Sequence, residues 1–165
     1  MNGVQGTYST SWTVTAQPEA VAPARHRASA QLRLWGYPLD RDQAADVELI
    51  VSELVTNGLR YGKAERLTVM VCANGEEVFL AVMDANDQAP SVQAAAAAAE
   101  NGRGLALVAA YATTWGTERT RRGKAVWATL PLPAPDRVMR RRALLARLIR
   151  QARPRPYVGV WRTAF

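Results

Sequence analysis

Residues 47–62 read VELIVSELVTNGLRYG. Val47, Ile50, Val51, Leu54 and Val55 recur every three or four residues, which is the spacing of one apolar stripe on an α-helix. Asp40 or Asp42 upstream supplies a cap for the helix start. Gly62, after Tyr61, reads as its C-terminal stop. Before this helix, residues 18–36 open on Pro18 and Glu19, run through Ala-rich sequence and stop near Gly36. They predict a second helix with a basic face at Arg25, Arg27 and Arg33, and Pro38 breaks it. Residues 7–16, rich in Thr, Tyr and Trp, suit a strand.

Downstream, residues 66–74 (RLTVMVCAN) and 77–84 (EVFLAVMD) are two β-rich runs with Asn74-Gly75 between them, a strong hairpin signal. Residues 85–101 read as a loop containing the Ala94–Ala99 run. Gly102 and Gly104 precede a third helix over Leu105–Tyr111. Residues 113–119 and 124–131 read as another strand pair, joined by the turn Arg121-Arg122-Gly123. The order β-α-α-β-β-α-β-β predicts an α+β, two-layer α/β sandwich: a mixed, mostly antiparallel sheet with helices on one face. Pro131, Pro133 and Pro135 close this unit, giving a domain over 1–135 and a C-terminal helix and tail over 136–165.

The chain has 165 residues, 48 % hydrophobic and 21 % charged, the composition of one folded domain rather than a disordered segment. Its single cysteine, Cys72, excludes an internal disulfide and a Cys-based zinc site, and reads as a small buried hydrophobe. No run of about 18 apolar residues spans a membrane. Met1–Thr15 lacks a basic region followed by an apolar run, so a cytoplasmic location is the expectation. The net charge of +7 belongs to the tail. Residues 1–135 hold 12 Lys+Arg against 13 Asp+Glu, while 136–165 hold nine Arg against Asp136 alone. The lone histidine, His26, has no second histidine for a metal pair. Trp35, Trp115 and Trp127 read as packing residues.

Three segments carry possible chemistry. Glu53 and Asn57 stand four apart and share one helix face. A carboxylate and an amide so placed offer hard oxygens to a hydrated divalent cation. Asp84 ends an apolar strand, where a carboxylate can accept from an amino group such as that of adenine. Gly102-Arg103-Gly104-Leu105 opens a helix, and glycines there let backbone N–H groups approach phosphate. Each segment alone also has an ordinary reading: solvated helix residues, a turn aspartate, a flexible turn.

Together, in this order and spacing, and followed by Gly123-Lys124-Ala125-Val126-Trp127-Ala128-Thr129-Leu130, they resemble the N, G1 and G2 boxes of the Bergerat-fold ATPases. The short forms ELVTN-x-x-x-x-G, GRGL-x-LV and GK-x-VWA-x-L look like the anti-sigma-factor serine/threonine kinase group, histidine-kinase-like ATPases abundant in high-GC Gram-positive bacteria. The resemblance spans about residues 12–132. It implies ATP/ADP and Mg²⁺ as cofactors, with Asn57 as the Mg²⁺ ligand and Glu53 as the base acting on the attacking hydroxyl. It implies Asp84 as the reader of the adenine amine, with Asn86 beside it. Gly102, Arg103, Gly104 and Leu105 would line the phosphates, and Thr129 would assist adenine through water. Members of the group phosphorylate a serine on an anti-sigma-factor antagonist and bind a sigma factor in the alternative state, and relatives dimerise.

The chain departs from the family pattern in four places. Asn86 stands where the G1 glycine is usual, Gly58 where Ala is common, and Tyr61 where His is frequent. Gly58 then costs helix stability of about 1 kcal/mol. Residues 87–101 contain no Lys or Arg, so γ-phosphate charge falls to Arg103 or to a partner. A non-catalytic nucleotide-binding module of the same fold is the alternative reading.

In the tail, Arg140, Arg141, Arg142, Arg147 and Arg150 with Leu144, Leu145, Leu148 and Ile149 predict a basic amphipathic helix. Three roles are open to it: phosphate contact on nucleic acid, an anionic membrane surface, or docking of its apolar side on the domain or a partner. No DNA-binding motif accompanies it, so direct nucleic-acid binding is not expected.

Overall fold

A computed structural model describes residues 8–84, 103–120 and 123–136. The expectations for Asn86, Gly102, the 85–101 loop and the tail beyond Asp136 fall outside the described residues. The chain begins with strand β1, Tyr8–Thr15. Pro18–Ala20 then form a single 3₁₀ turn leading into helix α1, Val21–Leu34. The expected helix over 18–36 is therefore two pieces. Gly36 ends α1 at φ 93°, a left-handed backbone that glycine adopts without a Cβ penalty.

Helix α2, Arg41–Tyr61, starts on a capping box: the Asp40 carboxylate accepts from the Gln43 N–H at 2.7 Å, and the Gln43 side chain accepts from the Asp40 N–H at 3.1 Å. Its stripe of Val47, Ile50, Val51, Leu54 and Val55 is buried in the main core. Leu54→Ala is expected to destabilise the fold by about 2–5 kcal/mol, because the cavity adds to the lost transfer energy. Chemical denaturation of the two chains measures this, and a loss below about 1 kcal/mol would contradict the packing.

Strands β2 (Arg66–Ala73) and β3 (Glu77–Asp84) form the expected hairpin. Asn74 Oδ1 accepts from the N–H groups of Glu76 and Glu77, and Gly75 takes φ 107°. Helix α3 spans Arg103–Tyr111, starting two residues before the expected position. Strands β4 (Thr114–Thr120) and β5 (Gly123–Pro131) complete the sheet. Trp115, expected to pack, is 38 % exposed on β4.

The strand order is β1-β2-β3-β5-β4, and every pairing among the described strands is antiparallel. The sheet is thus antiparallel throughout these residues, not mixed. The fold is α+β, with the three helices on one face. Leu67, Val69, Val71, Val78, Leu80, Val82, Val126, Ala128 and Leu130 point at them. Side chains alternate along a strand, so the residues between these point the other way. Ser29 Oγ donates to Glu48 Oε1 at 2.6 Å and joins α1 to α2, while Tyr8 of β1 stacks on Trp35 at 5.5 Å. No helix of the described residues is long and apolar enough to cross a membrane.

Candidate functional site

The outer end of α2 carries Glu53, Thr56, Asn57, Arg60 and Tyr61 within two turns, and these line a cleft with Gly104 and Leu105 from the start of α3. Gly104 leaves room for the Glu53 side chain. A Cβ there would stand 2.6 Å from Glu53 Oε2, closer than side-chain carbons come. Any larger residue would displace the Glu53 carboxylate from its place beside the start of α3. Leu105 is partly buried against the core and anchors this end of α3. Arg103 begins α3.

Asp84 lies at the end of β3, on the helix-bearing face by its alternation with Val82 and Leu80. The exit from α2 meets it there. Gly62 N–H closes α2 on Gly58 O at 2.8 Å, and the next amide, Lys63 N–H, donates to Asp84 Oδ2 at 3.1 Å. Asp84 Oδ1 is buried and accepts no hydrogen bond. A buried acceptor without a donor costs about 1–3 kcal/mol, so this oxygen is set for a donor from outside the protein. An exocyclic amine suits it.

Gly62 does not act through a left-handed backbone, as a helix-stop glycine usually does; its φ and ψ are −76° and 146°. It supplies room, since a Cβ would stand 2.3 Å from Gly58 O and 2.9 Å from Asp84 Oδ2. Gly58 also differs from expectation. A Cβ on it would meet Leu67 Cδ1 at 2.8 Å, so its cost in helix propensity is exchanged for close packing of α2 on β2.

Thr129 does not join this group. Its strand neighbours Ala128 and Leu130 face the helices, so Thr129 faces the opposite side, paired across the strands with Phe79. Its hydroxyl is engaged with Thr114 Oγ1 at 2.7 Å. The period-two alternation of β5 carried this signal in the sequence. Thr56 and Arg60 were missed, although they stand three and seven residues after Glu53 on one helix face. Arg60 brings to the cleft a cation that was expected only from Arg103 or a partner. Lys124 is the cross-strand partner of Asp84 in the β3–β5 ladder.

Among the described residues no group of three or more His, Cys, Asp or Glu could hold a metal ion. A divalent cation here would need ligands from a bound anion, which fits the pairing of one amide and one carboxylate with Mg²⁺ carried on phosphates. The orphaned Asp84 oxygen and the close approach at Gly104 fit a nucleotide.

The family model of the histidine kinase-like ATPase domain matches residues 14–130, from the last two residues of β1 to the penultimate residue of β5. The chain belongs to the histidine kinase-like ATPase domain family. No curated protein matches it. Membership of an ATPase family indicates a nucleotide ligand, ATP or ADP.

Proposed function

We propose that the protein is an ATP-binding regulator of the anti-sigma-factor type, a serine/threonine kinase that phosphorylates an anti-sigma-factor antagonist and holds a sigma factor in its alternative state. The observation that carries the nucleotide half of this reading is the buried, unpartnered Oδ1 of Asp84 beside the Gly62 turn. The kinase half rests on Glu53, whose carboxylate faces the start of α3 where the phosphate chain would run.

Bound Mg-ATP supplies a γ-phosphoryl group whose charge the metal offsets. Asp84 would hold the base end through the adenine amine, Asn57 would offer its amide oxygen to the metal, and Gly104 would leave room for the phosphates at the α3 N-terminus. Arg60 adds positive charge at the cleft. Glu53 takes the proton from a serine hydroxyl as the serine oxygen bonds to the γ-phosphorus and the bond to the ADP oxygen breaks. Positioning and charge account for most of such a transfer.

The test separates binding from transfer. Asn57→Ala is expected to abolish Mg-nucleotide binding in a calorimetric titration. Glu53→Gln is expected to leave affinity within about threefold and to lower phosphate transfer to the antagonist by on the order of a hundredfold or more. Transfer unchanged in the Glu53 variant would remove it as the base. Nucleotide binding with no transfer in the unaltered chain would favour the non-catalytic module, which the absence of Lys and Arg from residues 87–101 also suits.

A further inference from the structure

The sheet has two faces, and α1, α2 and α3 pack on one of them. On the other, Met70, Phe79 and Ala81 are buried, Phe79 to 2 % exposure, with Cys72, Met83 and Trp127 packed around them. Phe79 and Trp127 stack with centroids 5.6 Å apart. The cross-strand pairing places Ser9 and Ser11 of β1 beside Cys72 and Met70, and Glu118 of β4 beside Ala125, on this same face. Aromatic and methionine side chains held to so little exposure, on a face that none of these helices packs against, point to a cover.

The described chain ends beside the β2–β3 turn, against the C-terminal glycine of α1. Pro131 of β5 pairs with Glu77, Leu132 N–H donates to Glu76 O at 2.7 Å, and Asp136 N–H donates to Gly36 O at 2.8 Å. The remaining 29 residues therefore leave from the end of the sheet that carries the β2–β3 turn. Their first half has the apolar stripe Leu144, Leu145, Leu148 and Ile149 among six arginines. Fourteen helical residues reach about 21 Å. Five strands span about 19 Å from edge to edge. Glu77 near the starting rim and Glu118 on the far edge strand are the acidic groups that the alternation sets on this face, and they suit an arginine-rich cover.

We propose that residues 137–151 dock their Leu144, Leu145, Leu148 and Ile149 side on the second face of the sheet, over Phe79 and Trp127, as an intramolecular cover. The nucleotide cleft lies on the opposite face, so the docked segment leaves it open.

Cys72, the sole cysteine, sits on this face and reports on the cover. Its burial pushes the thiol up to about 11, so the reactive thiolate is scarce while the face is covered. In the full chain carrying Leu145→Asp and Leu148→Asp, alkylation of Cys72 under native conditions is expected to run about tenfold faster than in the unaltered chain. An unchanged rate overturns the proposal. So does a protection of Cys72 that grows with protein concentration, which would mean a second copy covers the face. A second measurement guards against misfolding of the charged variant. A benzophenone side chain at position 148 of the otherwise unaltered chain is expected to cross-link within one molecule to residues 66–84 or 123–131. Adducts only between two chains, or none to those strands, overturn the proposal.

Discussion

Asp84→Asn is expected to weaken the binding of both ATP and ADP on the order of a hundredfold, with little change in the fold. The substitution is nearly isosteric, which makes the comparison sharp. In the native chain one carboxylate oxygen accepts from Lys63 N–H and the other is buried without a donor. An asparagine would turn its carbonyl oxygen toward Lys63 N–H, because the alternative sets two donors against each other. Its NH₂ would then face the adenine amine, again donor against donor. A charge-assisted hydrogen bond is worth about 1.5–3 kcal/mol, and the unpaired donors add to the loss. Calorimetric titration with Mg-ATP and Mg-ADP reads the effect. Affinity within about threefold of the parent would show that the adenine amine is read elsewhere.

Gly62→Ala is expected to cost about 1–3 kcal/mol of stability and to weaken nucleotide binding together with it. Its backbone angles are open to alanine, so conformational strain is not the cause. Space is the cause. The new Cβ would stand 2.3 Å from a backbone oxygen and 2.9 Å from the Asp84 carboxylate, and neither is the free end of a flexible side chain. Relief requires moving the exit of α2 or displacing Asp84, and both carry the Lys63–Asp84 hydrogen bond away. A fall in melting temperature of roughly 2–12 °C should accompany the loss of affinity. Gly58→Ala is the instructive contrast, because its obstruction is the tip of Leu67, which can rotate. A Gly62→Ala chain that melts and binds like its parent would show that the turn relaxes freely.

The two glycines show where the sequence stops being legible. Gly62 as a helix end and Gly58 as a propensity cost are both readable from local preference. What they make room for lies on other elements: the Asp84 carboxylate on β3 and the Leu67 side chain on β2. No spacing along α2 contains those neighbours. Arg60 is the opposite case, because its position three residues after Asn57 already put it on the cleft side.

By itself the sequence determined the elements and the chemistry of their ends. The 47–55 stripe made α2, the Asn74-Gly75 pair made a hairpin, and Glu53, Asn57, Asp84 and Gly104 pointed to the nucleotide site proposed above. These depend on local periodicity, turn chemistry and residue type, which act over a few residues and survive in a linear string. The tertiary structure alone decided that every described pairing is antiparallel, that β5 inserts between β3 and β4, and that Thr129 hydrogen-bonds Thr114 rather than facing the site. It alone brought Lys63 N–H to one oxygen of Asp84 and left the other bare. Those outcomes depend on which surfaces meet when the apolar faces are buried, and that is a property of the whole packed chain rather than of any stretch of it.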